Sequence, residues 1–169
     1  MSDPVHEFQV LCESIGKELA FLKRPLRALF IEDSEEMRLI FQERVKPYNV
    51  IVDYAVCGET GEHQAIRGGY DLLFIDLVLP GQDGVEIFRK VRDANYAAGQ
   101  KRPRVIFFTG FVEDAAVERA SEIGFAAWVK KPRGLVSREF FDDLMEIFGV
   151  KTKAELGLTT EAQTGLLPA

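Results

Sequence analysis

Residues 72–84 read LLFIDLVLPGQDG, an unbroken apolar run that ends at the carboxylate of Asp76 and turns at once through a Pro-Gly pair. Such a run is typical of a strand that is buried on both faces, as in a parallel sheet covered by helices. In open α/β sheets, ligands bind in the crevice beyond the carboxyl ends of the strands. Asp76 is therefore a candidate site residue, and the other strands should supply its neighbours.

The composition is that of a globular protein of about one domain. The chain has 169 residues, of which 47% are hydrophobic and 28% charged, and its formal net charge is −6. This acidic balance argues against a nucleic-acid-binding surface, which would need a basic patch. The sequence contains no apolar run long enough for a transmembrane helix, and its N-terminal segment mixes charges in a way that a signal peptide does not.

The two cysteines give no sign of a disulfide framework or a metal site. Cys12 and Cys57 fall in different predicted elements, and their spacing matches no metal-ligand pattern. We expect free thiols in a reducing environment, and hence a cytoplasmic protein.

Apolar patterning divides the chain into alternating strands and helices. Five short apolar runs predict strands, at residues 28–31, 50–56, 72–76, 105–108 and 126–130. Helical spacing predicts helices at residues 34–45, 58–68, 83–94, 113–123 and 137–148. Another amphipathic helix is predicted near residues 3–22, with an apolar stripe formed by Phe8, Leu11, Cys12, Ile15, Leu19 and Leu22. Residues 95–103 are predicted to be a polar connection, and residues 151–169 a polar tail with weak helical character at 151–156.

The alternation of strands and helices predicts a parallel sheet that is covered on both faces. Right-handed crossovers bring the carboxyl ends of all its strands to one edge. Four of the strands end there in polar residues, which are Glu32 and Asp33, Asp76, Thr109, and Lys131. The predicted edge therefore carries three carboxylates, a hydroxyl and an ammonium group in one crevice.

This set of side chains suits a divalent cation and a phosphoryl group. Three neighbouring carboxylates repel one another unless a cation compensates them, and Mg²⁺ prefers oxygen ligands while retaining several waters. We predict that Asp33 and Asp76 bind Mg²⁺ directly and Glu32 through water. The backbone carbonyl of Val78 is the expected ligand from the loop.

An ionised aspartate beside Mg²⁺ can attack a phosphoryl group, and the other side chains of the crevice can then neutralise the phosphoryl oxygens. Asp76 is the predicted nucleophile. Lys131 would pair with one oxygen, Mg²⁺ with a second and the Thr109 hydroxyl with the third.

These residues, in this order along the chain, resemble the receiver domain of bacterial response regulators. The resemblance rests on Glu32-Asp33, the loop from Asp76 to Gly84, Phe108-Thr109-Gly110 and Lys131-Pro132. It implies a flavodoxin-like fold with strand order 2-1-3-4-5, and phosphorylation of Asp76 by a histidine kinase or a histidine phosphotransfer protein with Mg²⁺ as cofactor. It also implies a signalling protein rather than an enzyme, one that assists its own phosphorylation and dephosphorylation, and a cis peptide bond between Lys131 and Pro132.

The resemblance further implies a switch that couples phosphorylation to a surface. Thr109 would shift toward the phosphoryl group, and the aromatic residue at position 128 would move into the space that Thr109 leaves. Trp128 occupies the position where the family usually has Tyr or Phe. Its ring is larger than theirs, so the resemblance does not settle whether it rotates inward. The affected surface would consist of the fourth helix, the fifth strand and the fifth helix.

Two departures from the family pattern lead to expectations of their own. Val78 and Phe111 stand at the positions that help or hinder a hydrolytic water, and both are apolar, so we expect a slowly hydrolysing phosphoryl group. The flanks, residues 1–25 and 150–169, are short beside the receiver domain predicted at 26–149. We therefore expect a stand-alone receiver that signals through a downstream protein target, with no direct nucleic-acid or membrane partner and with a homodimer possible. The N-terminal helix is expected to pack on its own receiver or on a second subunit.

Several alternatives stay open at this stage. Asp33 with Glu36 would also make a capping box, so Asp33 alone could be no more than a helix N-cap. Strand alternation points only one of Lys130 and Lys131 into the crevice, and the proline that follows favours Lys131. A haloacid-dehalogenase-like phosphatase would need a second acid at position 78, where this chain has valine. A pseudo-receiver, which binds or dimerises without phosphorylation, is the stronger rival.

Overall fold

The fold is described from a computed structural model, which places residues 24–99, 103–109, 114–123, 127–130, 137–147 and 149–158. Several sequence-based predictions lie outside these residues. They are the N-terminal helix, Phe111, Lys131 with its peptide bond to Pro132, and the end of the C-terminal tail after residue 158.

Five parallel strands form one sheet, which confirms the predicted α/β, flavodoxin-like class. The strands are β1 (Leu26–Ile31), β2 (Val50–Ala55), β3 (Leu72–Asp76), β4 (Arg104–Thr109) and β5 (Ala127–Lys130). They pair side by side in the order β2-β1-β3-β4-β5. In this register Asp76 lies beside Phe108, and Thr109 lies beside Lys130. The polar residues at the ends of β1 and β3 are thereby brought to one edge, as the alternation of elements requires.

Helices cover both faces of the sheet. They are α1 (Glu35–Val45), α2 (Gly58–Arg67), α3 (Gly84–Ala97), α4 (Asp114–Ile123) and α5 (Arg138–Ile147). α1 and α5 pack on one face, over a cluster of aromatic rings. That cluster consists of Phe30, Phe41, Phe74, Phe108 and Phe141. α2, α3 and α4 pack on the other face, on the aliphatic side chains of β1 and β3 and on Phe107 of β4. Residues that alternate along each strand supply the two cores, because successive side chains of a strand point to opposite faces.

After Asp76 one predicted boundary is wrong, and the predicted loop has structure of its own. The loop that follows Asp76 contains a two-stranded antiparallel hairpin, Val78–Leu79 with Gln82–Asp83, around the Pro-Gly turn. α3 continues to Ala97, so the first part of the predicted polar connection is helical. Within that part Asn95 is fully buried, which its polarity did not suggest. Burial of one helix face against the sheet outweighs the weak helical preference of asparagine.

Residues 149–158 form a segment that returns to the turn between α1 and β2, and we call it the C-terminal strap. The predicted weak helix at 151–156 is here a series of turns that starts at a bridge between Thr152 and Tyr48. Val150 is buried in the aromatic core. The strap lies at the amino-terminal edge of the sheet, opposite the edge that carries Asp76.

Among the residues that the structure describes, no helix is long and apolar enough to cross a membrane.

Candidate functional site

Three carboxylates meet at the carboxyl edge of the sheet. Glu32 and Asp33 follow β1, and Asp76 ends the adjacent strand β3. One ligand oxygen from each lies within 4.8 Å of the others. The sequence prediction that β1 and β3 would deliver these three acids to one place is therefore confirmed.

Glu32 is held in place from several sides. Its side chain is buried, and Oε1 accepts a hydrogen bond of 3.1 Å from the backbone N–H of Ser34. Its backbone N–H donates to the carbonyl of Ala55 on β2, and its carbonyl accepts a bond of 2.8 Å from the guanidinium of Arg38. A carboxylate that already accepts a backbone bond is restrained, which suits a ligand that acts at the margin of a metal site.

Asp33 is exposed and does not cap the helix that follows it. The N-cap of α1 is Ser34, whose hydroxyl accepts from the N–H of Met37 at 3.3 Å. The alternative in which Asp33 and Glu36 form the capping box is therefore wrong. Ser34 supplies the cap, so the carboxylate of Asp33 is not needed for it and remains available for a cation.

Asp76 is buried to all but 8% of its surface. The backbone N–H of Val78 donates to its Oδ1 at 3.1 Å. Gly84 packs so closely behind the strand end that an added Cβ would lie 2.5 Å from the carbonyl oxygen of Asp76. The loop that follows β3 therefore restrains both the side chain and the backbone of Asp76.

The loop after Asp76 is tied to the neighbouring helix α4. Asp83 caps α3 by accepting from the N–H of Val85 at 2.8 Å, and its second oxygen lies 3.0 Å from the guanidinium of Arg119. A shallow groove of about 370 Å³ lies between this loop and α4. It is lined by Leu77, Val78, Gly81, Gln82, Asp83, Ala116 and Arg119. The groove lies beside the acidic cluster rather than over it.

The remaining predicted site residues are placed only through the backbone. Thr109 ends β4, one position beyond the strand partner of Asp76. Lys130 ends β5 beside Thr109, and Trp128 lies beside Phe107 in the same pair of strands. Several assignments therefore stay predictions. They are the roles of Thr109, Lys131 and Trp128, the choice between Lys130 and Lys131, and the carbonyl of Val78 as a metal ligand.

The donor set fits a hard divalent cation. All three ligand groups are carboxylates, and together they carry three formal negative charges that would repel one another in a largely buried site. Carboxylate oxygens from two adjacent strand ends, with one exposed side, suit an ion that keeps part of its water shell. These residues could therefore hold Mg²⁺.

Two residues that shape the site were missed in the sequence. Arg38 braces the carbonyl of Glu32, and Arg119 pairs with Asp83 across the groove. Arg38 lies within an amphipathic helix whose exposed face carries charges of both signs, so its contact had no local signal. The pairing of Arg119 joins residues that are distant in the chain, and such a contact is decided by tertiary packing.

A comparison with protein families identifies this chain. The model of the response regulator receiver domain matches residues 28–137, which is more than half of the chain. The chain therefore belongs to the response regulator receiver domain family, the phosphoacceptor domains of two-component signalling. The resemblance stated from the sequence is confirmed.

Individual relatives agree with this assignment. The transcriptional regulatory protein ResD of Bacillus subtilis is 26% identical over 106 residues, which are 63% of this chain and 42% of ResD. The chain thus spans less than half the length of this relative. Solved structures share the fold. Chemotaxis protein CheY4 of Vibrio cholerae has a TM-score of 0.60 at 16% identity, covering 72% of this chain and 96% of that one. The receiver domain of the histidine kinase CKI1 of Arabidopsis thaliana, complexed with Mg²⁺, has a TM-score of 0.62 at 20% identity, covering 73% and 92%.

Proposed function

We propose that this protein accepts a phosphoryl group on Asp76 from a histidine kinase or a histidine phosphotransfer protein. The observation that carries the proposal is the cluster of Glu32, Asp33 and Asp76 at one edge of a receiver-type sheet. Asp76 is the member best suited to be the acceptor, because it lies at the end of the central strand β3 and its backbone is held by the turn that follows.

The acidic cluster is also the proposed Mg²⁺ site. Asp33 and Asp76 would bind the ion directly, Glu32 through a water, and the carbonyl of Val78 from the loop. When bound, Mg²⁺ would offset the charge of the carboxylates and of the incoming phosphoryl oxygens. Glu32 suits an indirect role because its Oε1 is already engaged by the N–H of Ser34.

In the proposed reaction a carboxylate oxygen of Asp76 attacks the phosphorus of a phosphohistidine. An O–P bond forms, the P–N bond breaks, and the departing imidazole nitrogen keeps the electron pair and takes up a proton from solvent. The N–H of Val78 fixes the plane of the carboxylate through its bond to Oδ1. That restraint reduces the entropy lost on reaching the transition state.

Thr109 and Lys131 complete the proposed site. The Thr109 hydroxyl and the Lys131 ammonium would each pair with a phosphoryl oxygen, and the position of Thr109 at the end of β4, next to the strand of Asp76, supports this role. Lys130 is the competing lysine. Thr109 would move toward the phosphoryl group, and the ring of Trp128 would then move into the space that Thr109 leaves. These two movements would carry the signal to the surface of α4, β5 and α5.

We further propose that the phosphoryl group is lost slowly. The side chain of Val78 is 60% exposed beside the site and has no group that orients a water for in-line attack. Phe111 is equally apolar. A half-life of only seconds for the purified phosphoprotein would contradict this.

The proposed partners follow from the proposed role of Asp76 as a phosphoacceptor. The kinase or phosphotransfer protein would supply the phosphoryl group in the cytoplasm. The signal would pass to a downstream protein through the surface of α4, β5 and α5, with the receiver either a monomer or a homodimer. Direct nucleic-acid binding is not part of the proposal, although ResD is named a transcriptional regulator, because the matched region covers only 42% of that protein.

The test is Mg²⁺-dependent labelling of the full chain. We expect the protein incubated with acetyl phosphate and Mg²⁺ to gain the mass of one phosphoryl group, and beryllofluoride to bind in its place. Asp76→Asn should abolish the gain, and Asp33→Asn should raise the Mg²⁺ concentration that half-maximal labelling requires. Asp143→Asn, at an exposed acid of α5, should behave as the parent. Absence of any labelling in the folded parent would favour the pseudo-receiver.

A further inference from the structure

The beginning of the sheet and the C-terminal strap meet at one residue. The N–H of Leu26, at the start of β1, donates to the carbonyl of Asn49 at 3.3 Å. The N–H of Asn49 in turn donates to the carbonyl of Lys151 at 2.8 Å. Asn49 therefore links the start of β1, on one side, to the strap that follows α5, on the other, at the amino-terminal edge of the sheet.

The strap is a built element of the fold. The N–H of Lys153 donates to the carbonyl of Pro47 at 2.8 Å, next to the bridge between Tyr48 and Thr152. Thr152 and Glu155 form a capping box, in which each side chain accepts from the backbone N–H of the other, at 3.0 and 3.4 Å. These bonds give the strap a defined shape.

Tyr48 connects this region to α5. Its ring is buried against Phe141, and its hydroxyl donates to Asp142 at 2.5 Å. The turn before β2 is thus fixed to α5 as well as to the strap. The strap consequently offers a stable surface on which another segment can pack.

The exposed side of the strap is apolar at two positions. Leu156 and Leu158 are 47% and 46% exposed and lie two residues apart in the strap. Isolated apolar side chains on a surface are ordinary, but a pair on a hydrogen-bonded strap is a place where an amphipathic segment can be buried.

The point at which the chain enters the described part of the domain is also fixed. Arg24 binds Asp71 through two hydrogen bonds of 2.8 Å, so the chain is held at the residue where the described part begins. Leu22 lies four residues before Leu26, and an extended chain of that length spans at most about 14 Å. The last apolar residue of the predicted stripe is therefore joined to the start of β1 by a short tether.

We propose that this stripe, comprising Phe8, Leu11, Cys12, Ile15, Leu19 and Leu22, docks in the same chain on Leu156 and Leu158 of the strap. Both partners would remove apolar surface from water. A tether of a few residues gives an effective concentration on the order of millimolar, which favours this contact over one with a second copy. The two flanking segments would then form one cap at the edge of the sheet opposite Asp76. This inference does not depend on phosphorylation.

The test uses Cys12 as a reporter in the full-length Cys57→Ser variant, where it is the only thiol. Serine is a good N-cap, so this background should keep α2 intact. We expect N-ethylmaleimide to label Cys12 about tenfold more slowly, or slower still, than it labels the urea-unfolded chain. Introducing Leu156→Asp with Leu158→Asp should restore most of that rate, whereas Leu39→Asp, at a similarly exposed leucine of α1, should not.

The remaining outcomes would overturn the proposal. Equal labelling rates in the parent and the strap variant would show that the stripe is not covered by Leu156 and Leu158. Protection that disappears on dilution over roughly a hundredfold range would assign the stripe to a second copy of the chain. A circular dichroism spectrum and a urea midpoint would establish that the strap variant is folded, and Leu156→Ala with Leu158→Ala replaces it if it is not.

Discussion

The carboxylate of Asp71 receives both guanidinium nitrogens of Arg24, each at 2.8 Å. Its Oδ2 also accepts the backbone N–H of Arg27 at 2.8 Å. The backbone of Asp71 bonds to Arg27 on β1 and to Arg104 on β4. One buried acid therefore aligns the starts of three neighbouring strands, at the edge opposite the proposed phosphorylation site.

Replacing Asp71 should lower the free energy of unfolding more than replacing its partner Arg24. In Asp71→Ala the part-buried N–H of Arg27 loses its acceptor, and the guanidinium of Arg24 loses its partner, so we expect a loss of about 3 kcal/mol. In Arg24→Ala water can replace the guanidinium, whose side chain is half exposed, and we expect about 1 kcal/mol. Urea denaturation of both variants checks the order, and a larger loss for Arg24→Ala would contradict it.

Gly84→Ala should impair phosphoryl uptake. A Cβ at this position would lie 2.5 Å from the carbonyl of Asp76 and 3.0 Å from Cα of Leu77, and backbone atoms cannot yield as a side chain can. We expect Asp76 to be displaced and labelling by acetyl phosphate to fall by about tenfold or more. Gly61→Ala is the matched control, since the three atoms nearest to its Cβ all belong to the side chain of Ile31. It should lose stability while keeping most of its labelling. Equal labelling of the two variants would refute the argument.

Asn95→Leu should stabilise the protein. Within the described residues both polar atoms of the Asn95 side chain are buried without a hydrogen-bond partner. Leucine has the same branching and no polar group to desolvate, so we expect a gain of about 1 kcal/mol in the free energy of unfolding. Asn95→Asp, which buries a charge instead, should destabilise. Thermal unfolding of the two variants would show opposite shifts, and a destabilised Asn95→Leu would point to overpacking.

Cys57 should react faster than an ordinary thiol at neutral pH. Its Sγ lies 3.2 Å from the hydroxyl of Thr60, and this hydrogen bond, with backbone N–H groups at the start of α2, lowers the pKa of the thiol. A lower pKa leaves more thiolate at pH 7. In a Cys12→Ser background, Thr60→Ala should move the pH midpoint of alkylation upward. An unchanged midpoint would mean that the hydroxyl does not act on the thiolate.

Tyr70 should contribute to alkaline unfolding. Burial, together with the hydrogen bond of 2.7 Å that its hydroxyl donates to Asp53, raises the pKa of Tyr70 to about 12. The folded state thus favours the neutral phenol more than the unfolded state, whose tyrosines ionise near pH 10. The contribution of Tyr70 is complete below about pH 10 and is lost as the pH rises toward 12. Tyr70→Phe should therefore show a shallower fall in stability over that range, measured by urea titration at each pH.

The acidic site was predictable because its signal is local. An apolar run long enough for a buried strand, followed at once by a carboxylate, marks both Asp76 and the pair Glu32 and Asp33. Parallel connectivity then places the ends of such strands at one edge. The inner face of α1 was predictable for the same kind of reason, since Phe41 and Val45 recur at helical spacing and both are buried.

The helix cap at Ser34 and the burial of Asn95 were not predictable in this way. Asp33 and Ser34 are both good N-cap residues, and the choice between them depends on where the chain leaves β1 to enter α1. The end of α3 depends on how much of one helix face packs on the sheet, and the polarity of the nearby residues does not indicate this.

The sequence by itself determined the α/β class, the family and the identity of the acids around Asp76, because strand burial, helical period and strand-end residues are properties of short segments. Only the tertiary structure decided that Ser34 releases Asp33 from capping, that Arg119 pairs with Asp83, and that the strap returns to Tyr48. Each of these depends on the distance between groups that are far apart in the chain or on competition between adjacent ones. Such distances follow from how the helices pack on the sheet, and no local pattern specifies them.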